Sequence, residues 1–178
     1  MPLPSSRTVA LVPFAPLADS AVQGLDVHVG YAAGEALHLE YILRADLARL
    51  RVPEPKAAAR ANELWRHTCF EAFLHARTGT SYHEINASPS TEWAVYSFTD
   101  YRQGMSPADV APPSIHVTRG AHELVLDLRI DLKVLPPSRA LALAAVIEDG
   151  DGSLSYWALK HPAAKPDFHH PGGFVLEL

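Results

Sequence analysis

From Leu124 to Leu132 every second residue is apolar: Leu124, Leu126, Leu128, Ile130 and Leu132, with Glu123, Asp127, Arg129 and Asp131 between them. Successive side chains of a strand point to opposite faces, so this segment reads as a strand with one buried and one wet face. A helix would scatter those charges around its circumference. Leu37, Leu39, Tyr41 and Leu43 alternate in the same way with His38, Glu40 and Ile42, and Val27, Val29 and Tyr31 with Asp26, His28 and Gly30. Leu141, Leu143, Ala145 and Ile147 alternate with small residues, the pattern of a strand buried on both sides. Further β-type runs cover 69–75, 81–87, 93–99, 114–119, 154–159 and 174–178.

Turn chemistry separates these runs. Arg119-Gly120-Ala121-His122 and Asp149-Gly150-Asp151-Gly152 should each close a hairpin, the second being the strongest such signal in the chain. Gly79 and Pro89 mark the loops 76–80 and 87–92. Lys56–Leu64, rich in alanine and preceded by Pro53 and Pro55, has high helix propensity and predicts a short helix inside a long connection. The expected fold is all-β: one antiparallel β-sandwich spanning residues 1–178, with one or two short helical turns.

Composition adds exclusions. With 178 residues, one core can bury about two-thirds of the unfolded chain's surface. The formal charge is −5 with signs interspersed and no Lys/Arg block, which argues against nucleic acid or an anionic membrane as partner. The single cysteine, Cys69, lies in an apolar run and reads as a buried structural thiol. The segment Val9–Leu17 is broken by Pro13 and Pro16 and makes a poor leader, so a cytoplasmic location is expected. An exposed sheet edge would allow homo-oligomerisation.

Three segments resemble a known family. They are Leu64-Trp65-Arg66-His67-Thr68-Cys69-Phe70-Glu71-Ala72-Phe73, the stretch from Tyr82-His83-Glu84-Ile85-Asn86 through Trp93, Tyr96 and Tyr101-Arg102 to Gly104-Met105, and Ser155-Tyr156-Trp157-Ala158-Leu159-Lys160-His161-Pro162 followed by Lys165-Pro166-Asp167-Phe168-His169. Together they resemble the bacterial DOMON-like proteins, relatives of family 9 carbohydrate-binding modules, over roughly Arg7 to Leu178. The resemblance implies an immunoglobulin-like sandwich used as a noncatalytic binding module, with sugar or haem as ligands of relatives.

The residues themselves allow such a site. If the runs holding Glu71 and Glu84 pair as a hairpin, both carboxylates share a face with Tyr82 and Asn86. Aromatic rings stack on the apolar faces of sugars while polar groups hold the hydroxyls. Trp65, Trp93 and Trp157 are the candidate stacking residues. Arg66, Glu71, Glu84, Asn86, Arg102, Lys160, His161, Lys165 and His169 are the candidate polar ones. Glu71 has a structural alternative as the buried partner of Arg66 or Arg102. No catalytic residue, cofactor or metal is assigned. One alternative is noncovalent haem between Met105 and His161, His169 or His170. Another is a hydrolase using the Glu71/Glu84 pair or a metal in the His-rich loop.

Overall fold

The computed structural model describes residues 5–16 and 18–178; Met1–Pro4 and Leu17, the last residue of the proline-broken segment, lie outside it. Among the described residues twelve strands form: β1 Ser5–Pro13, β2 Val22–Ala32, β3 Ala36–Ala45, β4 Cys69–Ala76, β5 Tyr82–Ala87, β6 Trp93–Phe98, β7 Ser106–Pro107, β8 Ser114–Arg119, β9 Glu123–Asp131, β10 Ser138–Glu148, β11 Leu154–Ala158 and β12 Leu176–Glu177. Their hydrogen-bonded order is β7-β6-β5-β4-β10-β11-β1-β2-β3-β9-β8, with β12 added beside β10. The strand pairs are antiparallel. The expected antiparallel all-β sandwich is therefore observed, built by curling one continuous sheet onto itself.

The corner is β1. Its residues Ser5–Leu11 pair with β2, whereas Val12 and Pro13 pair with Ala158 and Trp157 of β11. One strand thus belongs to both layers. Sheet I holds β1, β2, β3, β9 and β8, and sheet II holds β7, β6, β5, β4, β10, β11 and β12. Pro13 and Pro16 interrupt the alternation here, so the sequence does not announce this strand.

Between the layers lies the core. The alternating positions Leu37, Leu39, Tyr41 and Leu43 of β3 and Leu124, Leu126 and Leu128 of β9 are fully buried. From sheet II they meet Phe70, Ala72 and Leu74, Ile85, and Leu141, Leu143 and Ile147. Each fully buried large apolar side chain contributes about 1.5–3 kcal/mol. Tyr41 crosses the core: its ring lies 5.1 Å from that of Phe70, and its hydroxyl donates to the Glu71 carbonyl at 2.7 Å. Both expected hairpins form, closed by Gly120 N–H to Glu123 O at 2.8 Å and Gly152 N–H to Asp149 O at 2.8 Å.

The expected helix over 56–64 does not form. Residues 51–59 are irregular, and only Leu64–Arg66 makes a 3₁₀ turn. The segment lies along β6 instead. Trp93 N–H donates to Ala59 O at 3.0 Å and Ala61 N–H to Trp93 O at 2.9 Å. The Arg60 guanidinium covers the Trp93 ring at 4.4 Å and donates to the carbonyls of Val95 and Ala108. An alanine-rich segment this short gains little as an isolated helix, so tertiary partners decide its conformation.

Candidate functional site

The outer face of sheet II carries the site. In the β4–β5 hairpin Glu71 stands opposite Asn86, Phe73 opposite Glu84 and His75 opposite Tyr82. The next strand sets Phe98 beside Tyr82, Tyr96 beside Glu84 and Ala94 beside Asn86. On the other flank Glu71 pairs with Ala144 and Phe73 with Ala142, and Ala144 in turn pairs with Ala158. Strand parity therefore sends every one of these side chains away from the core. A recess of ≈ 370 Å³ opens on this face, with Glu71, Glu84 and Val146 of the sheet among its lining.

Connections wall this recess. Trp65 arrives on the 3₁₀ turn before β4, packed edge-on to Tyr96 at 6.3 Å between ring centres. Phe98 and Tyr156 come from the sheet, and Pro166, Phe168 and His169 from the C-terminal connection. Arg102 and Met105 are delivered by a tight turn in which Arg102 (φ 53) and Gly104 (φ 64) are both left-handed. Glycine is required at 104: a Cβ there would lie 2.3 Å from Thr99 Oγ1.

Hydrogen bonds tie walls to floor. Arg102 Nη2 donates to Asp167 Oδ1 at 2.7 Å, and the Tyr101 hydroxyl donates to Asp167 Oδ2. Burial pushes the Asp167 carboxyl up, but those two donors outweigh it and hold it below its usual range. The Tyr82 hydroxyl accepts from Arg102 N–H at 3.1 Å and lies 2.8 Å from His169 Nδ1. The other ring nitrogen, Nε2, lies 3.5 Å from Glu84 Oε2. Burial, then the Arg102 charge, lowers the His169 pKa to about 4, so the ring is neutral at pH 7.

Carboxylates and an amide make the polar floor. Glu71 is 3% exposed, Glu84 4% and Asn86 0%. Asn86 Nδ2 donates to Glu84 Oε1 at 2.8 Å. Glu71 Oε1 and Asn86 Oδ1, which face each other across the hairpin, have no hydrogen-bond partner among the described residues. Burial, and then the Glu84 charge, pushes the Glu71 carboxyl well above the usual carboxylate range. Burial also raises Glu84, against the opposing pull of Asn86 and Arg102. Beside them Cys69 is fully buried, and burial drives its thiol well above its ordinary value, as expected of an inert structural cysteine.

No family model matches the chain, and a search of curated proteins finds no match. A solved structure does match. The chain is similar to a putative carbohydrate-binding protein from Bacteroides uniformis, with a TM-score of 0.64 and 11% identity over 94% of this chain and 84% of that one. At that identity the likeness is one of fold.

The candidate residues divide. Trp65, Glu71, Glu84, Arg102 and His169 line the recess, and Tyr82 and Asn86 support it. Trp93 and Trp157 do not. Both face the core, where Trp93 stacks under Arg60 and Trp157 Nε1 donates to Ser155 Oγ at 3.0 Å. Neither stacks on a ligand, because strand parity sends each to the inner face. Arg66 is exposed and pairs with Glu63 at 2.8 Å, and Arg102 pairs with Asp167, so neither arginine neutralises Glu71. Lys160 and Lys165 are exposed outside the recess, and His161 Nε2 binds Val12 O at 2.8 Å beside Phe14. Among the haem-ligand candidates His170 Nδ1 accepts from Gly172 N–H. Met105 and His169 do share the recess, yet one imidazole nitrogen of His169 is bonded to Tyr82 and the other faces Glu84. No group of three or more His, Cys, Asp or Glu side chains among the described residues is arranged to hold a metal ion.

Sequence reasoning missed Tyr156, Phe168, Phe98 and Asp167 as parts of the site. Ala94, Tyr96 and Phe98 alternate on the outward parity of β6, a signal that was available. Phe168 and Asp167 lie in an irregular connection, where no periodicity reports orientation.

Proposed function

We propose that this chain is a noncatalytic binding module, related to the DOMON-like and family 9 carbohydrate-binding type, that holds a small carbohydrate-like ligand on the outer face of sheet II. The observation that carries this reading is the recess itself. Buried polar acceptors, two of them unpartnered, lie under walls made of Trp65, Phe98, Tyr156 and Phe168. Folding alone gains nothing from burying polar atoms without partners, since each costs about 1–3 kcal/mol. A ligand that donates hydrogen bonds offsets that cost, and the rings accept the C–H faces of a sugar. The fold likeness to a putative carbohydrate-binding protein supports the same reading.

Binding is favoured over hydrolysis because Glu71 and Glu84 lie on neighbouring strands of one floor and meet a ligand from the same side. Acid and base in glycoside hydrolysis flank the scissile bond. The test is calorimetric titration with a panel of mono- and disaccharides. Saturable binding is expected, weakened about tenfold or more by Trp65→Ala and by Phe168→Ala, and left intact by Trp157→Phe in the core. No binding by any sugar at millimolar concentration overturns the reading.

A further inference from the structure

The two carboxyl groups that line the recess have unequal surroundings. Glu84 has a donor and a positive neighbour: Asn86 Nδ2 donates to its Oε1 at 2.8 Å, and the Arg102 charge favours its ionised form against burial. Its Oε2 lies 3.5 Å from His169 Nε2. Glu71, on the neighbouring strand, has no such support. It is 3% exposed, and its Oε1 has no partner among the described residues. No cation compensates it. On the connections around the recess Arg66 pairs with Glu63 and Arg102 with Asp167, and His169 is neutral at pH 7. On the sheet Cys69 is a buried thiol, the hydroxyls of Tyr82 and Tyr96 meet His169 and Asn62, and β10 sets Ala144 beside Glu71. Beneath, Tyr41 gives its hydroxyl to the Glu71 backbone carbonyl and not to the carboxyl. The charge acting on Glu71 is that of Glu84, of like sign. Two neighbouring buried carboxyl groups do not both ionise when one lacks donors and counter-charge; the charge settles on the better-supported one. A protonated carboxyl has one O–H donor and keeps acceptor capacity.

We infer that Glu71 stands in the recess as a neutral carboxylic acid at pH 7 and meets the ligand as donor and acceptor at once, while Glu84 carries the negative charge of the pair. The ligand contact rests on the proposed binding role; the protonation is independent of any ligand. Burial and the Glu84 charge act on Glu71 in the same direction. A sugar hydroxyl, which also donates and accepts, is a group that such an acid matches. Ionising Glu71 removes the donor and puts a second charge into the floor. Affinity therefore falls as pH rises through the ionisation of Glu71.

Carbon-13 NMR of the full chain, labelled at the glutamate carboxyl carbons and titrated without ligand, tests the protonation. One resonance, identified by its absence from Glu71→Gln, should hold the acid position at pH 7. Glu84→Gln removes the like charge and should make Glu71 a stronger acid by on the order of tenfold. Calorimetry with the panel of mono- and disaccharides at pH 6 and pH 9 tests the contact. Glu71→Leu should weaken binding about tenfold or more, and Glu71→Gln, which reproduces the donor and acceptor of the acid, should rescue it and abolish its pH dependence. Retained cooperative melting of each variant establishes that a loss is not unfolding. A Glu71 resonance at the carboxylate position at pH 7, or one that Glu84→Gln leaves unmoved, overturns the neutral acid and leaves the carbohydrate reading standing. Binding that survives in Glu71→Leu, or that Glu71→Gln does not rescue, overturns the contact. Absence of binding by every sugar overturns the carbohydrate reading and the contact with it, while the NMR titration still decides the protonation.

Discussion

The outer faces of the two sheets obey the same alternation and hold their polar residues in opposite ways. On sheet I, His28 pairs with Glu40 at 2.9 Å, His38 with Asp127 and Arg44 with Asp26, all partly or fully exposed to water. Such pairs are worth about 0–1 kcal/mol each and cost little to keep. On sheet II the equivalent outward positions hold Glu71, Glu84 and Asn86, which are buried, with two acceptor atoms left unpartnered. One face is simply wet. The other is desolvated by the Trp65 turn and the C-terminal connection, which pack Trp65 and Phe168 onto a cluster that includes Phe73, Tyr96 and Phe98. That one sheet carries solvated ion pairs and the other does not supports the proposal that the second face binds a ligand.

The contrast between core and site can be broken most sharply with tryptophans. Trp93→Ala should lower unfolding free energy by about 3–5 kcal/mol in urea denaturation. Trp65→Ala, half-buried at the wall of the recess, should cost less than half as much. Equal losses would make the outer face a second core instead of a site.

A smaller effect distinguishes Glu71 from the solvated carboxylates of sheet I. Because burial and Glu84 raise its folded pKa, its contribution to stability is fully present below its unfolded value of about 4.3 and is lost as pH rises toward the folded value. Glu71→Gln should therefore gain on the wild type between pH 4 and pH 8, by on the order of 1–3 kcal/mol. Glu84, also raised, retains a residual slope in the variant. Parallel stability curves for the two proteins would contradict the burial argument. The smallest effect belongs to sheet I, where a double-mutant cycle on His38 and Asp127 should return a coupling below about 1 kcal/mol.

Much of this arrangement is legible in the sequence, and the boundary has physical causes. Period-two alternation identified β2, β3, β9 and β10, because a strand with one wet face leaves that imprint. The shared face of Glu71, Glu84, Tyr82 and Asn86 follows from a hairpin with fixed register. The inward facing of Trp93 and Trp157 is not legible in the sequence, because face assignment depends on the register with the neighbouring strand, and a one-residue difference inverts it. Pairing of Ala87 with Trp93 places that indole inward. The stretch from Lys56 failed for a different reason. Helix propensity is local, whereas Arg60 and the backbone of Ala59 and Ala61 find partners on β6 that lie more than thirty residues away in sequence. Phe168 and Asp167 were invisible because a loop has no period.

One feature of the topology bears on how the molecule holds together in time. Since β1 is hydrogen-bonded to β2 along Ser5–Leu11 and to β11 at Val12 and Pro13, it is a seam common to both layers. Opening either layer frays this strand and so exposes the hydrophobic interior of the other. The two layers are therefore expected to open together, and free energy gained by a ligand on the outer face of sheet II would stabilise sheet I as well.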